Sequence, residues 1–254
     1  MPKPKVIVVM PAYNAELTVE ATVRDIPEDV VDEIILVDDC SRDRTVEIAK
    51  GLGLTVIEHE QNKGYGGNQK TCYNAALEKG ADIVIMIHPD YQYDSRLAGA
   101  IVTFLEKGVI DVLLGNRIRT RREALSSGMP VWKYLANRAL SFSENLMLGQ
   151  NLGEWHSGYR AYTRQVLETI PYNRNSDNFV FDSQFLVQAV HFGFKIGDVP
   201  VPVRYMKEAS SIAFWSSSRY GLGTLATVGG WYAHRLGIAK SDRYRAQDGA
   251  PARS

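Results

Sequence analysis

Five apolar runs, each cut off by a polar cluster, recur along the first half of the chain, and that rhythm leaves few folds open. Val6–Met10, Glu33–Val37, Thr55–Glu58, Ile83–Ile87 and Val112–Leu114 are short, rich in Val and Ile, and bounded by turn residues, as strands are. Between them, Glu16–Ile26, Thr45–Lys50, Asn68–Lys79 and Ser95–Lys107 carry helix signals. The first closes before Pro27, and the second follows the capping-type residues Asp38 to Asp43. Strand–helix alternation predicts an α/β fold, a mostly parallel sheet with helices on both faces. A parallel crossover needs an intervening element, and strands buried on both sides read as continuous apolar runs.

After residue 117 the rhythm changes. Val131–Leu148 reads as one long helix stopped by Gly149, Gly158–Thr163 and Gly197–Val203 read as strands, and Asp182–Phe192 as a helix between them. No repeat, linker or low-complexity tract divides the chain, so a single domain over 1–239 is expected, with a flexible tail over 240–254. A first half would end near residue 117 and a second would span 118–239. The longest uncharged stretch, Tyr220–Ala233, falls short of the roughly 20 apolar residues that cross a bilayer. A soluble cytoplasmic protein is therefore expected. Two cysteines, Cys40 and Cys72, make neither a disulfide framework nor a Cys-rich zinc site.

In an open parallel sheet, ligands bind beyond the carboxyl ends of the strands. The clusters there are Pro11-Ala-Tyr-Asn-Ala-Glu16, Asp38-Asp-Cys-Ser41, Asn62 to Lys70, His88-Pro-Asp-Tyr-Gln-Tyr-Asp94 and Gly115-Asn-Arg117. Five clusters on one edge point to a ligand site. Two generic nucleotide motifs fail in Gly64-Tyr-Gly-Gly-Asn-Gln-Lys-Thr71, because Gln69 stands where either motif needs glycine. An ATPase and a nicotinamide enzyme are thereby disfavoured. Charge excludes another class: Lys plus Arg number 29 and Asp plus Glu 29, without the basic excess of a bulk nucleic-acid binder.

Taken in order, Pro11-Ala-Tyr-Asn14, Val37-Asp-Asp-Cys-Ser41 with Asp43 and Thr45, Asn62-x-Gly64 and His88-x-Asp90 resemble the motif series of family-2 glycosyltransferases. That resemblance spans about residues 5–215 and implies the GT-A fold, a Rossmann-like single domain that binds a nucleotide sugar. Asp90-x-Gln92, Gly115-Asn-Arg117, Lys133 with Asn137 and Ser157-Gly-Tyr-Arg160 are similar to its polyprenyl-phosphate branch, the dolichyl-phosphate mannose and glucose synthases. The implied activity is inverting transfer from a nucleotide diphosphate sugar to a polyprenyl phosphate. A hydroxyl on a glycan or small molecule is the alternative acceptor, and a non-catalytic nucleotide-sugar-binding module the alternative class.

From the resemblance, Pro11, Ala12, Tyr13, Asn14, Glu16, Asp38, Asp39, Gly64, Asn68 and Lys70 would border the nucleotide sugar, Asp39 accepting from base or ribose. Asp38 and Asp39 can also be read as helix caps. Asp90 would hold Mn²⁺ or Mg²⁺ against the diphosphate, with Gln92 as a further oxygen donor. His88 replaces the family's first carboxylate; it either ligates the metal through nitrogen, favouring Mn²⁺, or donates to a phosphate. Arg117, Lys133, Asn137, Ser157 and Arg160 would bind acceptor or leaving phosphate. The family's further Arg has no aligned counterpart, Arg204 and Lys207 both being offset, and Arg119, Arg121 and Arg122 read as a solvated or membrane-facing loop.

A hydroxyl acceptor needs a base, for which Glu154 or His156 stands ready; a phosphate acceptor needs none. Asp177 and Asp182 either line the acceptor side or, for Asp182, cap a helix. Ser210–Ala233 has two readings. Trp215, Tyr220, Trp231 and Tyr232 with Arg219 and Arg235 suit a peripheral membrane contact; equally, a helix there would complete the core or a homo-oligomer contact.

Overall fold

The computed structural model describes residues 3–118, 120–126, 129–204 and 214–247. Strands β1 (Val6–Ala12), β2 (Glu33–Asp38), β3 (Thr55–Glu58), β4 (Ile83–Met86), β5 (Val112–Asn116), β6 (Arg160–Thr163) and β7 (Ile196–Pro200) form one seven-stranded sheet in the order β3-β2-β1-β4-β6-β5-β7. All pairings are parallel except those of β6, which runs against both β4 and β5. Chain order reverses at β1, with β2 on one side and β4 on the other, so the switch-point crevice opens beyond Ala12 and Met86.

Helices α1 (Val19–Arg24), α2 (Thr45–Gly51), α3 (Gly64–Glu78), α4 (Ala98–Glu106), α5 (Arg121–Ser126), α6 (Val131–Leu148), α7 (Arg164–Thr169), α8 (Phe181–His191) and α9 (Phe214–Arg235) complete the chain. Strand β1 shows how the two faces are built. Ile7 and Val9 join one buried cluster with Tyr73, Phe181 and Phe185, while Val6, Val8 and Met10 join another with Val19, Ile101 and Leu105. Period-two alternation thus fills both layers, and an uninterrupted apolar run is what such a strand requires. This is a single α/β domain with a mixed, mostly parallel sheet.

Several expected boundaries move, three of them through contacts with a neighbouring segment or an early end to pairing. Helix α3 begins at Gly64, four residues before the expected Asn68, because the glycines belong to the helix and let it press on the 176–181 segment. A methyl on Gly66 would collide with the Ser176 carbonyl, and one on Gly64 would sit 2.8 Å from the Asp177 oxygen. Strand β7 ends at Pro200 and not Val203; only a single bridge, Tyr93 to Val203, continues the pairing. From 240 to 247 the segment expected as a loose tail is docked. Arg174 donates to the Asp242 carbonyl at 2.6 Å, and the Gln247 amide donates to the carbonyls of Leu167 and Ile170.

Candidate active site

Because β6 is antiparallel, its N-terminal residue lies at the same edge as the C-terminal ends of its neighbours. Segment 153–160 therefore joins the clusters after β1, β2, β3, β4 and β5. The loops there are conformationally committed. Asn14, Cys40 and Tyr91, in the loops after β1, β2 and β4, have φ of 50°, 67° and 55°. Left-handed backbone at a non-glycine residue costs about 1–3 kcal/mol and persists only where surroundings impose it.

Much of the expected nucleotide-binding set turns out to stitch loops together. Asn14 accepts from the Arg42 N–H at 2.8 Å and Glu16 from the Arg44 N–H at 3.0 Å, tying the β1 and β2 loops. Buried Asn68 donates to the Val37 carbonyl at 3.0 Å and the Ala12 carbonyl at 3.4 Å, anchoring α3 to two strand ends. Lys70 pairs with Asp177 at 2.7 Å and donates to the Asn175 carbonyl, a helix-to-segment clamp. Tyr13 is 54% exposed over the crevice rim.

The two adjacent aspartates separate cleanly. Asp39 accepts from the N–H groups of Lys63 at 2.7 Å and Gly64 at 3.0 Å, and buried His59 lies 2.8 Å from it through Nδ1. His59 Nε2 in turn meets Thr71 Oγ1 at 2.9 Å, so Asp39 fastens the start of α3 and has no oxygen to spare. Asp38 is different. Its Oδ2 accepts from the Ser41 N–H at 2.9 Å, while its Oδ1 is buried without a partner among the described residues. An unsatisfied buried carboxylate oxygen is costly, which makes it a place for donors from a ligand.

After β4, Asp90 Oδ1 accepts from the Gln92 N–H at 3.0 Å and its other oxygen has no hydrogen bond among the described residues. The Gln92 side chain makes none either. His88 is partly buried: its ring stacks on Tyr65 with centroids 5.6 Å apart, and Nε2 lies 3.3 Å from the Tyr65 hydroxyl. A methyl on Gly158 would come 2.7 Å from its ring. Burial lowers the His88 pKa despite the opposing charges of Asp90 and Asp182, keeping the imidazole neutral. No cluster of three His, Cys, Asp or Glu ligands exists among the described residues. Asp90 and Gln92 nevertheless fit a hard dication that completes its shell with phosphate oxygens and water. His88 fits a packing role instead.

The basic residues divide likewise. Arg160, expected at a phosphate, is fully buried: Nε donates to the Ser157 carbonyl at 2.7 Å and Nη1 pairs with Asp182 at 2.9 Å. Asp182 also accepts from the Tyr65 hydroxyl at 2.8 Å, so this aspartate neutralises a buried guanidinium under the site. Ser157 Oγ accepts from the Tyr159 N–H at 3.2 Å. Arg117 is bound by Glu154 through Nε at 2.8 Å and through Nη2, and donates to the His156 carbonyl at 2.8 Å. Asn137 donates to the same Glu154 oxygen at 3.1 Å. Burial would push the Glu154 carboxyl up, but the charge and hydrogen bonds of Arg117 hold it below the ordinary carboxylate range. His156 sits between Tyr220 at 2.9 Å and the buried Glu144 at 3.0 Å. Neither expected base is left unengaged. Lys133, half-buried, makes no ion pair or hydrogen bond among the described residues; burial and the nearby Arg117 charge lower its pKa, Glu154 opposing them.

Arg204 stacks over Tyr91 at 4.2 Å and its N–H bonds the Gln92 carbonyl at 2.8 Å, bracing the Asp90 loop from outside. Arg119 and Lys207, and the side chain of Trp215, lie outside the described residues. Sequence reasoning missed Tyr65 and His59. Tyr65 lies among the glycines of a loop-like stretch, and a lone His after a strand carries no signal of its own.

The glycosyl transferase family 2 model matches residues 7–170. The UDP-N-acetylglucosamine–dolichyl-phosphate N-acetylglucosaminyltransferase of Methanococcus voltae is 29% identical over 217 residues, covering 79% of this chain and 86% of that protein. The dolichyl-phosphate hexose transferase of Haloferax volcanii is 30% identical over 199 residues, with 78% and 82% covered. Among solved structures, glucosyl-3-phosphoglycerate synthase from Mycobacterium tuberculosis in complex with UDP superposes with a TM-score of 0.66 at 22% identity, covering 94% of this chain and 82% of that one. That likeness is one of fold.

Proposed function

Since the chain belongs to glycosyl transferase family 2, an inverting nucleotide-sugar transferase family with the GT-A fold, we propose that its acceptor is a polyprenyl phosphate, met at the inner face of the cytoplasmic membrane. One observation carries this reading. Lys133 stands half-buried and unpaired among the described residues beside Arg117, while of the two candidate bases Glu154 is bound by Arg117 and His156 is held between Tyr220 and the buried Glu144. A phosphate oxygen is already a nucleophile and needs a cation to receive it; a hydroxyl needs a base. The two relatives named for dolichyl phosphate support the same acceptor.

Asp38 takes the base or ribose donors on its free Oδ1, and Tyr13 flanks the nucleoside. Asp90, with Gln92, would hold Mn²⁺ or Mg²⁺ on the donor diphosphate. Such an ion supplies Lewis-acid stabilisation of the charge that builds on the leaving group. Lys133 orients the acceptor phosphate for attack on the anomeric carbon opposite the diphosphate, which inverts that centre. Arg117, pinned by Glu154 and the His156 carbonyl, keeps positive potential there without being free to move. Purified protein offered a nucleotide diphosphate sugar should glycosylate a short polyprenyl phosphate and leave the matching polyprenol untouched. Equal transfer to the alcohol refutes the phosphate-acceptor reading.

A further inference from the structure

Helices α6 and α9 leave an apolar surface uncovered. On α6, Val131, Leu135, Phe142 and Leu146 are each 60–73% exposed and fall at i, i+4, i+11 and i+15, one stripe of the helix. The opposite side of α6 carries the buried Ser141, Glu144 and Leu148. On α9, Leu222, Leu225 and Gly229 continue the same pattern, with exposed Leu236 just past its end, opposite the buried Thr224, Val228 and Trp231. The helices touch side by side: Tyr232 donates to the Met147 carbonyl, and a methyl on Gly221 would lie 3.2 Å from Leu140. Their stripes therefore face outward together. Tyr220 and Trp231, read as suiting either an interface or the core, point inward.

Charge selects the occupant. The only carboxylate on α6, Glu144, is buried, and α9 has none, whereas Arg219 and Arg235 are exposed on α9 and Arg121 and Arg122 on the adjoining α5. A second copy docked face to face would bring the arginines of α9 against their own counterparts, with no exposed carboxylate on α6 or α9 to answer them. An anionic surface meets both the leucines and the arginines. We propose that the α6–α9 face docks on a bilayer carrying anionic headgroups, its leucines and Phe142 entering the interfacial region and its arginines meeting phosphates. The surface stands on its own residues; the polyprenyl-phosphate reading supplies only its use. Lys133 projects from the first turn of the same α6 whose Val131 and Leu135 face outward, so a phosphate at Lys133 lies at the border of the docked face.

The test is flotation of the full chain with vesicles of phosphatidylcholine alone and with added phosphatidylglycerol, neither containing polyprenyl phosphate. Binding should need the anionic lipid, weaken with salt, and fall by about tenfold or more in Leu135→Glu, Phe142→Glu or Leu146→Glu, the scale of losing one buried apolar side chain. These exposed positions tolerate charge, so far-ultraviolet dichroism and transfer to a detergent-dispersed short polyprenyl phosphate should match wild type. Absence of vesicle binding, or binding that the glutamate variants retain, overturns the proposal. So does a dimer in sedimentation that Phe142→Glu splits, which would make a second copy the occupant. Failure of phosphate transfer with vesicle binding intact would instead strike the acceptor reading.

Discussion

Arg117 places two guanidinium nitrogens on one oxygen of Glu154 and gives its backbone N–H, at 2.8 Å, to the other. Glu154 is wholly buried, and Arg117 nearly so. Such a pair is a scaffold for charge. Removing one partner strands the other in a poorly solvated site, which typically costs about 3–5 kcal/mol.

Glu154→Gln should therefore destabilise the fold in urea denaturation. A lost base would leave stability unchanged. The pH dependence has a definite sign. Because the folded carboxyl is held below its ordinary value, the pair's contribution is complete above that value and fades as pH falls through the depressed one. The stability gap between wild type and Glu154→Gln should shrink on acidification.

Lys133→Ala should cut acceptor kcat/KM by about 10–100-fold, the scale of one charge-assisted hydrogen bond, with nucleotide Kd unmoved. Lys133→Arg should restore most of it. Since burial and Arg117 lower the Lys133 pKa, acceptor KM should rise with alkaline pH sooner than an ordinary lysine would dictate. In Lys133→Arg that rise should vanish, because arginine keeps its charge.

Asp38→Asn and Asp39→Asn should part company. The first removes a carboxylate with one oxygen waiting for a donor and should weaken nucleotide binding by about 10–100-fold at nearly unchanged Tm. The second disturbs His59 and two N–H groups at the start of α3 and should lower Tm, an unmet buried polar group costing about 1–3 kcal/mol. Calorimetric titration with nucleotide diphosphates beside thermal denaturation tells them apart. Equal loss of affinity at full stability in both would contradict these roles.

Asp90→Asn should abolish the gain in nucleotide affinity on adding Mn²⁺ or Mg²⁺ and lower turnover by about 10²–10³-fold, the usual scale for one electrostatic group at a reacting centre. His88→Asn should keep the metal response and lose stability, since it vacates the space between Tyr65 and Gly158. A metal response lost in His88→Asn would make the imidazole a ligand after all.

Where the strands lie and which loops meet was legible in the chain itself. Apolar runs closed by Pro11, Asp38, His88 and Arg117 fix buried strands and their exits, because burial on both faces demands unbroken hydrophobicity and the edge demands polar ends. Helix α6 matched its expected bounds residue for residue, Pro130 and Gly149 marking its limits. Membership in the family was visible in the same ordered clusters. Partnership was not. Whether Asp38 or Asp39 keeps an unsatisfied oxygen depends on His59, twenty residues on, and on two N–H groups of a distant helix start. Arg160 and Arg117 look alike as basic residues near the edge. Yet reversal of β6 buries one over Asp182, contributed by α8, and a loop return at residue 154 spends the other. Sequence records which groups can donate or accept; only the folded chain decides which of them the protein has already satisfied, and so which are left for a ligand.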